Sequence, residues 1–165
     1  MLAIIDAIHA ILSDKKDASF FSQVKRIYEW DPRQVAQNDT PAIIIRPSPS
    51  TSSSYEKRGS QYNQVEHLIE VVVVYNMKQY YGSTKDEVVD TVIDMMKMCE
   101  WDWILANKRK SIIWILGENV CLNIDWQNVV QDIGPVSVNY NETTDRGFPS
   151  YEGVILLRAV KIEDR

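Results

Sequence analysis

Val65-Glu66-His67-Leu68-Ile69-Glu70-Val71-Val72-Val73-Val74-Tyr75-Asn76 is the stretch whose reading decides the fold. Most of its residues are β-branched or aromatic, and such side chains pack well on a pleated surface and poorly in a helix. Its beginning alternates, with Glu66, Leu68 and Glu70 on one face and His67, Ile69 and Val71 on the other. From Val71 to Val74 both faces are apolar, which predicts a strand in the middle of a sheet and covered on both sides. Upstream, Ala42-Ile43-Ile44-Ile45 is its expected antiparallel neighbour.

Between these two runs lies a polar stretch, residues 47–63, too long for a tight hairpin turn. Ser48-Pro49-Ser50-Thr51-Ser52-Ser53-Ser54 has nothing to bury, so packing cannot offset its ordering entropy. Two readings of 48–63 stand side by side: an inert flexible loop, or a loop ordered only by a partner. On the second reading the candidate interaction residues are Ser52, Tyr55, Glu56, Lys57, Arg58 and Tyr62.

Working outward, residues 1–13 read as an amphipathic helix with Ile4, Ile5, Ile8, Ile11 and Leu12 on one side and Asp6 and His9 on the other. Asp14-Lys15-Lys16-Asp17 ends it. Residues 20–30 admit two readings: Val24, Ile27 and Tyr28 suit a helix and 26–30 a strand, and Asp31-Pro32 favours the strand or extended one by pushing the preceding backbone out of the helical region. Thr40-Pro41 opens the strand at Ala42, and Arg46-Pro47 closes it. Beyond the decisive stretch, Ser83 with Asp86 and Thr84 with Glu87 form overlapping capping boxes. The helix they start is expected to run to about Trp101 or Trp103. Val88, Val92, Met95 or Met96, and Cys99 form its buried face, with Val89 and Ile93 beside them.

Residues 111–116 fit either a short helix stopped by Gly117 or a strand. Residues 120–127 alternate as a strand with one polar face. Gly134-Pro135 predicts a break, after which Val136, Val138 and Tyr140 alternate. Residues 141–150 read as a second polar loop. The closing strand, 151–162, places Val154, Leu156, Val160 and Ile162 on one face and Ile155, Leu157 and Ala159 on the other. The order of elements predicts one α+β domain across 1–165, with a mostly antiparallel sheet and helices packed on one face.

Composition narrows the function classes. The 165 residues are 45% hydrophobic and 25% charged, as in ordinary globular domains. A formal net charge of -5 argues against a general nucleic-acid binder, and Lys108-Arg109-Lys110 reads as a solvated face. The two cysteines, Cys99 and Cys121, lack Cys-x-x-Cys spacing and fit buried free thiols in a reducing cytosol. No stretch is long enough for a membrane span, and the N-terminus has no signal-peptide pattern, so no membrane partner is expected. With two histidines a His-based metal site is not expected. The chain has no glycine-rich phosphate loop, Gly-x-Ser-x-Gly, His-Glu-x-x-His or zinc-type cysteine spacing. The expectation is a non-enzyme with no catalytic residues, no metal and no cofactor.

The order and texture of the chain resemble the tail terminator proteins of tailed bacteriophages, including the minor tail protein family of lambda-like phages and its tail-completion relatives. The resemblance is carried by the helix at 1–12, Asp39-Thr40-Pro41-Ala42-Ile43-Ile44-Ile45 with the polar loop after it, and the 66–75 strand. The capped helix from Thr84 and the closing 153–162 strand complete it. The match spans nearly the whole chain as a pattern of elements, without an invariant motif. It departs from the family in the long Trp-rich segment 101–126.

The resemblance implies an α+β subunit of a homo-oligomeric, hexameric ring in the virion, assembled in the host cytoplasm. The implied partners are the tail tube protein and the head–tail connector or neck proteins, with DNA passing through the lumen without specific binding. Within that class the alternative is a neck or head-closure protein. Outside it, the alternative is an unrelated α+β ligand-binding or enzymatic domain. Five tryptophans and eight tyrosines suit extensive interfaces, where aromatic residues are enriched.

Overall fold

The computed structural model describes residues 1–19, 21–32, 34–49, 54–55, 62–77, 85–100, 111–119, 122–124, 127–128, 130 and 132–164. Its centre is a mixed, mostly antiparallel sheet. The strands are β1 (Arg26–Glu29), β2 (Ala42–Pro47), β3 (Ser54–Tyr55), β4 (Tyr62–Asn76), β7 (Asp132–Thr143) and β8 (Ser150–Asp164). The spatial order is β1-β2-β4-β8-β7, with β3 pairing β4 off this path. The expected partnership holds: β2 runs antiparallel to β4, with Ala42 opposite Val74 and Ile45 opposite Val71. The other flank of β4 pairs along its whole length with β8.

The register sorts the strand residues into two faces, as a period of two requires. Ile43, Val73 and Gly153 form one row, and Ile45, Val71, Ile155 and Val138 form the next. These rows meet three helices: α1 (Leu2–Lys15), α2 (Lys85–Cys99) and α3 (Ile112–Glu118). Ile4, Ile5, Ile8 and Leu12 of α1, Met95, Met98 and Cys99 of α2, and Ile112, Ile115 and Leu116 of α3 join them in one buried core. Ala42, Ile44, Val72 and Val74 occupy the opposite face, under Val35 and Phe148. Both faces are therefore covered, one by helices and the other by two connecting segments. The chain is a single compact α+β domain.

Strands β1 and β2 pair in parallel, Arg26 with Ala42 through Glu29 with Ile45. Trp30 takes a left-handed backbone (φ 78), and the connection crosses the second face, where Val35 lies buried. The polar insertion is shorter than expected at both ends. The Ser48 N–H donates to Leu68 O at 2.9 Å, Ser54 and Tyr55 pair with Val65 and Gln64, and β4 already begins at Tyr62. In α2, Met95, Met98 and Cys99 set the buried side at spacings of three and four. Ile93 and Met96 are thereby rotated outward, to 42% and 43% exposure. The capping residues Ser83 and Thr84 and the expected end at 101–103 lie outside the described residues.

Residues 111–118 resolve as a helix. Ser111 Oγ accepts the Trp114 N–H at 3.2 Å, capping the first turn. The helix passes through Gly117 and ends when Asn119 donates to Ile115 O and Leu116 O. The single strand expected at 120–127 is replaced by two short ones, β5 (Asn123–Ile124) and β6 (Gln127–Asn128), paired with each other in a separate small sheet. Leu122, at φ 45, turns the backbone out of extended geometry just before β5. The break expected at Gly134-Pro135 is instead a bulge inside β7. Pro135 pairs with Leu157 and Ser137 with Leu156, leaving Val136 between them and 56% exposed. Val138 and Tyr140 then pack against the main core.

Gly153 marks the closest approach between β8 and α2. A Cβ there would lie 2.7 Å from Cys99 Sγ and 3.2 Å from Tyr140 Cε1. Cys99 is fully buried, and burial first, then the nearby Glu100 charge, pushes its thiol pKa up. Gly153→Ala should cost about 1–3 kcal/mol by overpacking. Cys99→Ala in the same chain should recover part of that loss, because it removes the atom in closest conflict. Denaturant unfolding of both single variants and the double variant measures the coupling, and strictly additive costs would show that Cys99 is not the obstacle.

Candidate functional site

The second face of the sheet carries charge at its margins. Cross-strand registers set it in rows: Arg46 opposite Glu70, then Ile44–Val72–Val154, then Ala42–Val74–Glu152–Asn141. An apolar row thus separates two that bear ionised groups. Glu70 and Glu152 are charges beside the apolar row, and each needs a partner once covered. Arg46 Nε donates to Glu70 Oε2 at 2.8 Å, and Ser48 Oγ donates to Glu70 Oε1 at 3.0 Å. Arg146 Nε donates to Glu152 Oε1 at 2.8 Å.

Asp31 joins the two pairs. Its carboxylate accepts Arg46 Nη1 on one oxygen and Arg146 Nη1 on the other. The result is one chain of ions, Glu70–Arg46–Asp31–Arg146–Glu152, drawn from β4, β2, the β1–β2 connection, the β7–β8 turn and β8. The turn supplies Arg146 because Gly147, at φ 83, reverses the backbone, with its N–H donating to Thr144 O at 3.2 Å. Phe148, next in the chain, then drops onto the apolar row beside Val35.

Burial differs along the chain of ions. The Arg146 and Glu152 side chains are 8% and 7% exposed, whereas Asp31 is 35% exposed. For Arg146, burial alone would lower the pKa. The hydrogen bond and charge of Glu152, followed by those of Asp31, outweigh it and raise the value above that of free arginine. Arg46 behaves likewise: burial lowers, and bonding to Asp31 and Glu70 with their charges raises and prevails. Both guanidinium groups stay charged.

A cleft of about 530 Å³ opens beside this network, lined by Pro32, Asn141, Thr143, Asp145 and Val154 together with Asp31, Arg46, Arg146 and Glu152. Among the described residues that line it there is no histidine, cysteine or lysine, and its arginines are already bonded to carboxylates. Among the described residues no group of three or more His, Cys, Asp or Glu is placed to hold a metal ion. The arrangement binds two connecting segments to the sheet, the one carrying Asp31 and the one carrying Arg146.

The chain matches no family model, and no curated protein matches it. Among the described residues no helix is long and apolar enough to cross a membrane.

Of the residues singled out in the polar insertion, Tyr55 lies in β3, paired with Gln64, and Tyr62 opens β4, paired with Asp164. Ser52, Glu56, Lys57 and Arg58 lie outside the described residues. The ionic network was missed in the sequence, where Arg46 read as a strand end and Arg146 as part of a polar loop. The available signal was Glu70 and Glu152, acids that border the apolar runs 71–74 and 154–157.

Proposed function

We propose that the protein is a structural subunit of a ring at the head-proximal end of a bacteriophage tail or phage-tail-like particle, ending tube growth and joining tail to head. The observation that carries this reading is the order of elements on one compact α+β sheet: an N-terminal helix, the β2–β4 pair around a long insertion, a helix, then the closing β8 strand. That order is the one on which the resemblance to tail terminators rests. Two further features support it. The charged groups on the second face are engaged in holding the fold together, which suits a protein that performs no chemistry. The exposed apolar side chains stand in three places, Ile93 and Met96 on α2, Trp30 after β1 and Val136 on the β7 bulge, which suits a subunit that meets its neighbours through unlike surfaces. On this reading the subunits form a closed homo-oligomer, six being the favoured count. They contact the tail tube and the neck or connector proteins and let DNA pass without specific binding.

A second reading, a ligand-binding α+β domain, is favoured by the cleft beside Asp31. Symmetry separates the two. Electron microscopy of tails containing the protein should show one ring of it at the head-proximal end, each contact burying more than roughly 1,000 Å². Cells lacking the protein should yield tails of uncontrolled length or tails unable to join heads. Copies spread along the tube, or normal particles without the protein, would overturn the ring reading.

A further inference from the structure

The sheet has two open ends, and they are unlike. At one end β1 is four residues long and, among the described residues, pairs only with β2. The Lys25 N–H donates to Pro41 O at 2.8 Å, so the alternation of a strand turns the Arg26 and Tyr28 amides away from β2. This end carries Lys25 and Arg26, both exposed. Arg26 lies 3.6 Å from Asp39 and stacks over Tyr28, and Glu29 faces His9 at 3.0 Å. At the other end β7 is twelve residues long and, among the described residues, pairs only with β8.

An edge of that length is a template for another strand unless it is blunted by lysine, proline or a bulge. In β7 the blunting is confined to one place, Pro135 and the bulge at Val136. From Ser137 to Thr143 the edge has no proline and no cation, and the whole stretch from Asp132 to Asp145 holds acidic residues but no lysine or arginine. The core beneath is also open at this end: Val138 and Tyr140 are only partly buried where they pack against it. A strand laid along β7 would cover them.

We infer that the acidic β7 edge of one copy receives the β1 edge of a second copy, which presents the exposed Lys25 and Arg26, continuing the sheet from subunit to subunit. Main-chain hydrogen bonds supply the join, and Lys25 and Arg26 facing the acidic β7 edge select the partner and its orientation. The two edges differ, so the contact is head to tail and closes only as a ring or runs on as a filament. The inference rests on the ring reading above and deepens it by naming the surfaces that meet.

The test places lysines on β7 at two exposed positions, Val136→Lys with Asn139→Lys, and follows ring formation by electron microscopy of the purified protein and of tails. The variant should keep the wild-type unfolding midpoint and lose at least nine-tenths of its rings. Adding Lys25→Glu and Arg26→Glu to the same chain reverses the charge on the facing edge and should restore them. Undiminished rings from the β7 variant, or no recovery in the folded four-site variant, would overturn the edge pairing and leave the ring reading intact. Failure of the wild-type protein to form any ring would overturn both.

Discussion

Val72→Asp is expected to leave no cooperatively folded protein under conditions where the wild type is stable. Val72 is fully buried on the second face, with Ile44 on one side, Val154 on the other, and Val35 and Phe148 in the same cluster. The carboxylate would replace apolar contact with an unpaired charge. Arg46 and Arg146, the nearest cations on that face, are already committed to Glu70, Asp31 and Glu152. Burying such a charge costs several kcal/mol, against a total stability of about 5–15 kcal/mol for an ordinary domain. Val74→Asp should behave in the same way for the same reason. Val136→Asp is the control: its side chain projects from the bulge at 56% exposure, and the cost should stay within about 0.5 kcal/mol. Circular dichroism during urea unfolding measures all three. A soluble Val72→Asp protein with a sharp transition near that of the wild type would show that the two connecting segments do not seal this face.

The second large effect belongs to Arg146. Arg146→Leu removes the cation between Glu152 and Asp31 and strands Glu152, whose side chain is 7% exposed. Breaking a buried pair from one side costs about 3–5 kcal/mol, mostly the penalty of the carboxylate left behind. Asp31 suffers less, since it is partly exposed and keeps Arg46. Arg146→Leu with Glu152→Leu should therefore be more stable than Arg146→Leu alone, because nothing charged is then left without a partner at the inner end of the network. The comparison needs only equilibrium unfolding of the two variants. If the double variant is the less stable of the two, the pair contributes through the packing of Arg146 and the turn around it, and not through charge balance.

How far the sequence could be read follows from the range of each interaction. The 65–76 stretch was legible because a run of β-branched residues apolar on both faces has few places to go other than mid-sheet. The antiparallel partner at Ala42 was legible for the same reason. The face of α1 was legible because Ile4, Ile5, Ile8, Ile11 and Leu12 state it at helical spacing. Failures came where tertiary context overrides local pattern. Val136 alternates correctly with Val138 and Tyr140 in sequence, yet the bulge turns it to solvent. Ile93 suits a buried flank, yet the actual face of α2 is centred on Met95, Met98 and Cys99. The parallel β1–β2 pair depends on a connection that crosses a face, and no local pattern encodes that. The ionic network depends on five residues spread from Asp31 to Glu152, brought together by the register of β2, β4 and β8 and by two connections that cross the face. Spacing along the chain carries no trace of such a meeting.

The β4–β8 ladder also has a consequence for the order in which the molecule can form. It pairs the middle of the chain with its last described strand, Tyr62 with Asp164 and Asn76 with Ser150, and β8 lies between β4 and β7 in the sheet. During synthesis, β1, β2 and β4 emerge early, and β4 then waits with one whole flank unsatisfied until residues 150–164 leave the ribosome. Contacts so distant in sequence are slow to close, and an open apolar strand is prone to aggregate while it waits. Until β8 is released, the nascent chain lacks the strand that joins β4 to β7, so chaperone demand should fall most heavily on the interval between completion of β4 and arrival of β8.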